Sequence, residues 1–161
     1  MFIYSIRAST IKLFALIAAA LALLVGVSSF ANNDSIAAMA TGEVRYSGIK
    51  TNEDRVAFIG QFGVKVKPEP IEEKEFLMPK DFDRIVLGYN ELQKKQGLDL
   101  TKYAKKKVTR YTYLVENAAE EGEVYVNLFI HRNRIIACDI CSAARDGFVE
   151  PLTLVNKDRL K

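Results

Sequence analysis

Residues 107–142 read KVTRYTYLVENAAEEGEVYVNLFIHRNRIIACDICS, and the fold turns on this stretch. Lys107–Glu116 is rich in Val, Thr and Tyr, side chains that suit a pleated, half-buried surface. Ala118–Gly122 contains a turn. Glu123–Ile130 is the most apolar segment and carries large residues on both alternating faces, so it is expected to be central and covered. His131-Arg132-Asn133-Arg134 predicts a tight turn, after which Ile135–Ser142 returns antiparallel. The three segments together predict a β-meander.

Upstream the period changes. Pro79 opens the clearest helical pattern, with Phe82, Ile85, Val86, Tyr89 and Leu92 recurring at helical spacing. Lys94 and Lys95 suit its last turn, and Gly97 follows as a stop. Leu98–Tyr103 reads as a loop or a short turn of helix. Ile71–Met78 starts rich in Glu and predicts an exposed edge strand. Val64-Lys65-Val66 alternates like a strand until Lys67-Pro68-Glu69-Pro70 breaks it. Thr51-Asn52-Glu53-Asp54 has the signature of a helix start, and Val56, Ile59 and Phe62 extend it to a helix over Asn52–Phe62. Downstream, Asp146-Gly147-Phe148 is expected to turn a Phe back into the core, and Asn156–Lys161 to fray.

The N-terminal region adds a different element. Leu13–Ala31, LFALIAAALALLVGVSSFA, carries no charge. As a helix it spans roughly 28 Å, close to the hydrocarbon thickness of a bilayer. Arg7 and Lys12 precede it and Asp34 is the first charge after it, which orients the short N-terminus inward and the body outward. A cleaved signal peptide is the alternative, with small residues at Ser29 and Ala31. The expected class is therefore α+β: an antiparallel sheet, a β-meander of three to five strands, packed with two helices on one face and preceded by one transmembrane helix. The expected organisation is a short cytoplasmic N-terminus (1–12), a transmembrane signal anchor or signal peptide (13–31), a linker (32–43) and an extracytoplasmic α+β domain (44–161). The lipid bilayer is then a partner through residues 13–31. The expected location is the cytoplasmic membrane, single-pass, with the C-terminal domain outside, or secretion after cleavage near Ala31.

Charge and cysteine content narrow the chemistry. The chain has 23 Lys and Arg against 20 Asp and Glu. Arg7 and Lys12 account for two of the basic residues, which leaves the body near neutral and gives no global case for nucleic-acid binding. Two Cys do not make a disulfide scaffold. They form a CxxC, Cys138 and Cys141, and this pair is the candidate redox or disulfide site. A thioredoxin-like motif sits at a helix N-terminus, where the dipole lowers a thiol pKa. Here the pair lies in a strand, where residues three apart point to opposite faces. His131, Cys138, Asp139 and Cys141 amount to half a zinc site, because no second ligand pair follows. His131 is the only histidine and sits in a turn, a poor place for a preorganised base. Glu72-Glu73 and Glu120-Glu121 fall at strand edges or loops. No catalytic residue, metal or cofactor is expected.

The best local binding candidate is the basic-aromatic run from Lys102 to Tyr113. Lys105, Lys106, Lys107 and Arg110 can face anionic headgroups or wall polymers. Tyr111 and Tyr113 share a strand face and can stack on a sugar or peptide. The bland alternative is a solvated loop followed by ordinary β-forming Tyr.

Gly48-Ile49-Lys50-Thr51-Asn52-Glu53-Asp54-Arg55, Phe62-Gly63, Tyr89–Leu100, Arg110–Tyr113, Asp139 and Asp146-Gly147-Phe148 together resemble an uncharacterised family of Gram-positive bacteria. Its members are small proteins with one N-terminal hydrophobic segment and a domain of unknown function. The resemblance implies an anchored protein of the bacterial cell envelope and brings no activity or site residues. The Cys pair is not part of the pattern. The expected function is a binding or structural module whose partner is an envelope protein, a peptide or a wall polymer. An envelope thiol or metal-binding protein is the alternative, and a hydrolase a third.

Overall fold

The computed structural model describes residues 44–119 and 122–161, and its folded unit runs from Tyr46 to Lys161. Five antiparallel strands lie in chain order: β1 Glu72–Leu77, β2 Lys107–Leu114, β3 Val124–His131, β4 Arg134–Ser142 and β5 Val149–Pro151. The meander is thus present, and β3 is central as its two-sided apolar pattern requires. β1 is the Glu-rich edge. Val64–Val66 contributes only an isolated bridge, Val66 to Val115.

The register defines two faces. Thr112, Asn127 and Asp139 stand side by side on one. Tyr113, Val126 and Ile140 stand side by side on the other, all fully buried. A bulge between Phe129 and Ile130 shifts the pairing of β4 near its start. Arg132 and Asn133 both adopt positive φ, 46° and 61°, in the β3–β4 turn. This is the backbone a two-residue hairpin needs to follow the strand twist.

Two helices complete the class. α1 spans Asn52–Gly60 and starts at a capping box. Thr51 Oγ1 accepts from the Asp54 N–H, and Asp54 accepts in return from the Thr51 N–H at 2.9 Å. Gly63, at φ 81°, turns the chain into the next segment. α2 spans Arg84–Lys94 and is capped by Asp83, which accepts from the Val86 N–H at 2.8 Å. The expected start at Pro79 is five residues early, because the Asp83 cap sets the first turn. The expected stripe also shifts. Ile85 is 81% exposed, whereas Asn90 and Gln93 are buried.

The helices do not share a face of the sheet. Arg55 of α1 contacts Tyr111 and Tyr113, and Tyr89 of α2 contacts Phe129 and Asp139. Those residues lie on opposite faces by the β2–β3–β4 register. On the α2 side, Met78, Leu100, Val108, Ile136 and Ala137 form a core closed by Phe76, Phe82, Tyr103 and Phe129. Fully buried Ile59, Leu128 and Ile140 each contribute about 1.5–3 kcal/mol by leaving water.

Two expectations for the tail are also corrected. Asn156–Lys161 is docked, with the Lys161 N–H donating to the Asn117 carbonyl and the Ala119 N–H to the Arg159 carbonyl, both at 2.8 Å. Phe148 is half-buried under the Arg159 guanidinium, 3.8 Å from its ring centre, instead of entering the core.

The transmembrane part of the expected fold is corrected as well. No helix among the described residues is long and apolar enough to cross a membrane. The fold is an α+β domain of five antiparallel strands and two helices. Leu13–Ala31 lies outside the described residues, as do Glu120 and Glu121.

Candidate functional site

α1 covers only part of its face of the sheet. Beyond its N-terminal end the row Glu75–Thr109–Ile130 is left open, and the loop before β2 and the β3–β4 turn rise around it. The result is a cleft of about 550 Å³. Six cationic side chains line it: Lys50, Arg55, Lys105, Lys106, Lys107 and Arg132. Glu75 is the one acidic residue of the lining and pairs with Lys107 at 2.8 Å. Both partners are exposed, so that pair contributes little to stability.

The cations are held unequally. Arg55 is fixed. Its Nε–H donates to Tyr113 Oη at 2.7 Å, and that hydroxyl donates to Asn52 Oδ1 at 2.9 Å. The guanidinium carbon sits over the Tyr111 ring, 3.8 Å from its centre. The loop carrying the lysines is pinned through its backbone. The Lys105 N–H donates to the Met78 carbonyl at 3.0 Å, and the Met78 N–H donates to the Lys106 carbonyl at 2.9 Å. His131 Nδ1 lies 2.7 Å from the Lys107 carbonyl. A carbonyl only accepts, so this nitrogen carries the proton. Among the described residues, the non-glycine residues at positive φ are Lys105, Arg132 and Asn133, and all three line this cleft. Such a conformation costs about 1–2 kcal/mol for an ordinary side chain and less for Asn, whose short polar side chain tolerates it.

The opposite face carries a polar row. Thr112 Oγ1 donates to Asn127 Oδ1 at 2.8 Å, and Asn127 Nδ2 donates to Asp139 Oδ1 at 2.9 Å. Tyr89 Oη donates to Asp139 Oδ2 at 2.6 Å. Cys141 joins this row, 3.5 Å from Asn127 Nδ2. Burial raises the Asp139 pKa, against the hydrogen bonds from Tyr89 and Asn127. Burial also pushes the Cys141 thiol up to about 11, with Asp139 adding to the effect. Cys138 is raised further by the same cause.

A family model described as a domain of unknown function (DUF4830) matches residues 58–140. The chain belongs to this family. No curated protein and no solved structure matches it. The DUF4830 match runs from the end of α1 to β4 and includes Glu75, Lys105–Lys107 and Arg132, whereas Lys50 and Arg55 precede it.

Within the DUF4830 domain the expected patch is divided. Lys105, Lys106, Lys107 and Tyr111 line the cleft. Arg110 does not, because it points to the other face and pairs with Glu72. Tyr113 is fully buried and serves as the hydroxyl that holds Arg55. The Cys pair is not brought together. Both are free, Cys138 is fully buried, and their sulfurs face opposite sides of β4. Their raised pKa values keep both as thiols at neutral pH, the less nucleophilic form. Among the described residues no three His, Cys, Asp or Glu side chains converge as a metal site. Lys50, Arg55 and Arg132 were missed because they are far apart in sequence. The one local signal was Arg55, a base one helical turn after Asn52.

Proposed function

We propose that this DUF4830 domain is a non-catalytic binding module of the bacterial cell envelope that takes an anionic partner in the basic cleft. One observation carries the reading: six cationic side chains from separate segments line a single recess that holds one carboxylate. Such a recess raises the local concentration of anions and steers their approach. The uncharged run Leu13–Ala31, preceded by Arg7 and Lys12, supports an exported domain and hence an envelope partner. An anionic wall polymer fits the cleft better than a neutral one.

The test is co-sedimentation of the full-length chain with purified wall fragments at low and high salt. Binding that weakens with salt and is lost in the double variant Lys105→Glu, Lys106→Glu is expected. Absence of binding at every salt concentration overturns the reading.

A further inference from the structure

We infer that the cleft recognises a chain of adjacent phosphate groups, an inference that rests on the anion-binding reading above. Charge is the first argument. Glu75 offsets Lys107, and just outside the lining Asp54 lies near Lys50 and Glu53 near Arg55. Lys105, Lys106 and Arg132 face the recess without a carboxylate in its lining. A ligand with one charge leaves most of these three uncompensated. Neighbouring phosphates bring several charges into one small volume.

Geometry is the second argument. The cations arrive from the segment before α1, from α1 itself, from the loop before β2 and from the β3–β4 turn. A carboxylate takes its donors in one plane. A tetrahedral phosphoryl group offers oxygens in several directions and suits donors that converge from different sides. Arg55 adds a planar fork whose orientation is already fixed by Tyr113 and Tyr111.

The third argument removes the competitor. A sugar platform needs an open aromatic face. Arg55 already covers one face of Tyr111, and Tyr113 is buried. Ring stacking is therefore not what this recess offers. The same chemistry is available from a soluble phosphate chain or from phospholipid headgroups. The concave lining favours the soluble chain over a flat bilayer.

The experiment is calorimetric titration of the full-length chain with inorganic triphosphate and with citrate at matched ionic strength. Phosphatidylglycerol vesicles form the third arm. Triphosphate is expected to bind at least about tenfold more tightly than citrate. Arg55→Gln is expected to weaken triphosphate at least about tenfold. The double variant Lys106→Gln, Arg132→Gln changes exposed side chains only, so it tests the site if Arg55→Gln fails to fold. Equal affinity for citrate overturns the phosphate assignment and leaves the anion cleft standing. No binding of either anion or of vesicles overturns both. Binding to vesicles without triphosphate overturns the soluble chain in favour of headgroups. Triphosphate binding unchanged in both variants places the ligand elsewhere and overturns the inference.

Discussion

Asp139 stands in the middle of β4 with both carboxylate oxygens engaged, one by Tyr89 and the other by Asn127. Its burial outweighs those two hydrogen bonds and raises its pKa above the ordinary 3.8. In the unfolded chain the group loses its proton near 3.8, whereas in the folded chain it keeps the proton to higher pH. Between those two values unfolding releases a proton, so rising pH favours unfolding through this group. Its stabilising contribution is full below 3.8 and is lost as pH rises through the folded value. Asp139→Asn removes the titration and retains an acceptor for Tyr89. The variant is expected to gain on the parent as pH rises from below 3.8 toward neutrality, read as urea midpoints across a pH series. An advantage that does not change with pH refutes the assignment. Tyr113 permits a second test at this scale. Tyr113→Phe deletes the hydroxyl between Arg55 and Asn52, which is expected to cost about 1–3 kcal/mol in denaturant unfolding. It also releases the guanidinium, so anion binding by the folded variant is expected to weaken. Unaltered binding would show that Arg55 needs no such anchor.

At the scale of elements, the outer edge of β4 explains why α2 buries amides. β5 pairs with Cys141, Ile140 and Asp139, and it stops at Pro151, which has no N–H to continue the ladder. The next backbone groups of β4 belong to Cys138. Its N–H donates to Gln93 Oε1 at 3.0 Å, and its carbonyl accepts from Gln96 Nε2 at 2.6 Å. Gln96 Oε1 also accepts from the Thr153 hydroxyl at 3.1 Å. Gln93 in the last turn of α2 and Gln96 just after it thus take the place of strand residues that β5 does not supply. Gln96→Ala is expected to cost about 2–4 kcal/mol, because it leaves a buried carbonyl unpaired and opens a void. Ile85→Ser, on the exposed side of α2, is expected to stay within about 0.5 kcal/mol. Parallel urea unfolding of the two variants checks both. The contrast also shows what sequence reading captures. The helix and its Lys-rich end were legible from spacing and composition. Its inward face was not, since apolar periodicity selected Ile85 over Asn90 and Gln93. A glutamine that completes a sheet edge has no local signature, because its partner lies more than forty residues away.

Over the whole molecule, the strand order was legible because a meander joins neighbours in sequence, and each strand carried its own alternation. The face chosen by each helix was not, since that depends on which side of the sheet the connecting loops cross. The cleft was legible in part for the same reason. Lys105–Lys107 formed a visible run, whereas Lys50, Arg55 and Arg132 meet it only through the fold. Cys138 offers a measurement at this scale. It is fully buried, its pKa is raised by burial, and its N–H and carbonyl are both held by Gln93 and Gln96 on the outer edge of β4. Cys141 is half-buried beside a cavity of about 490 Å³ on the α2 side of the sheet. A small alkylating reagent is therefore expected to modify Cys141 slowly in the native chain and to spare Cys138. Cys138 labelling should then report opening of the whole domain, with a urea dependence equal to that of global unfolding. Mass measurement of site-resolved labelling across a urea series gives both slopes. A much shallower slope for Cys138 would mean that the β4 edge opens alone. It would then follow that the two glutamines close the sheet less firmly than a strand does.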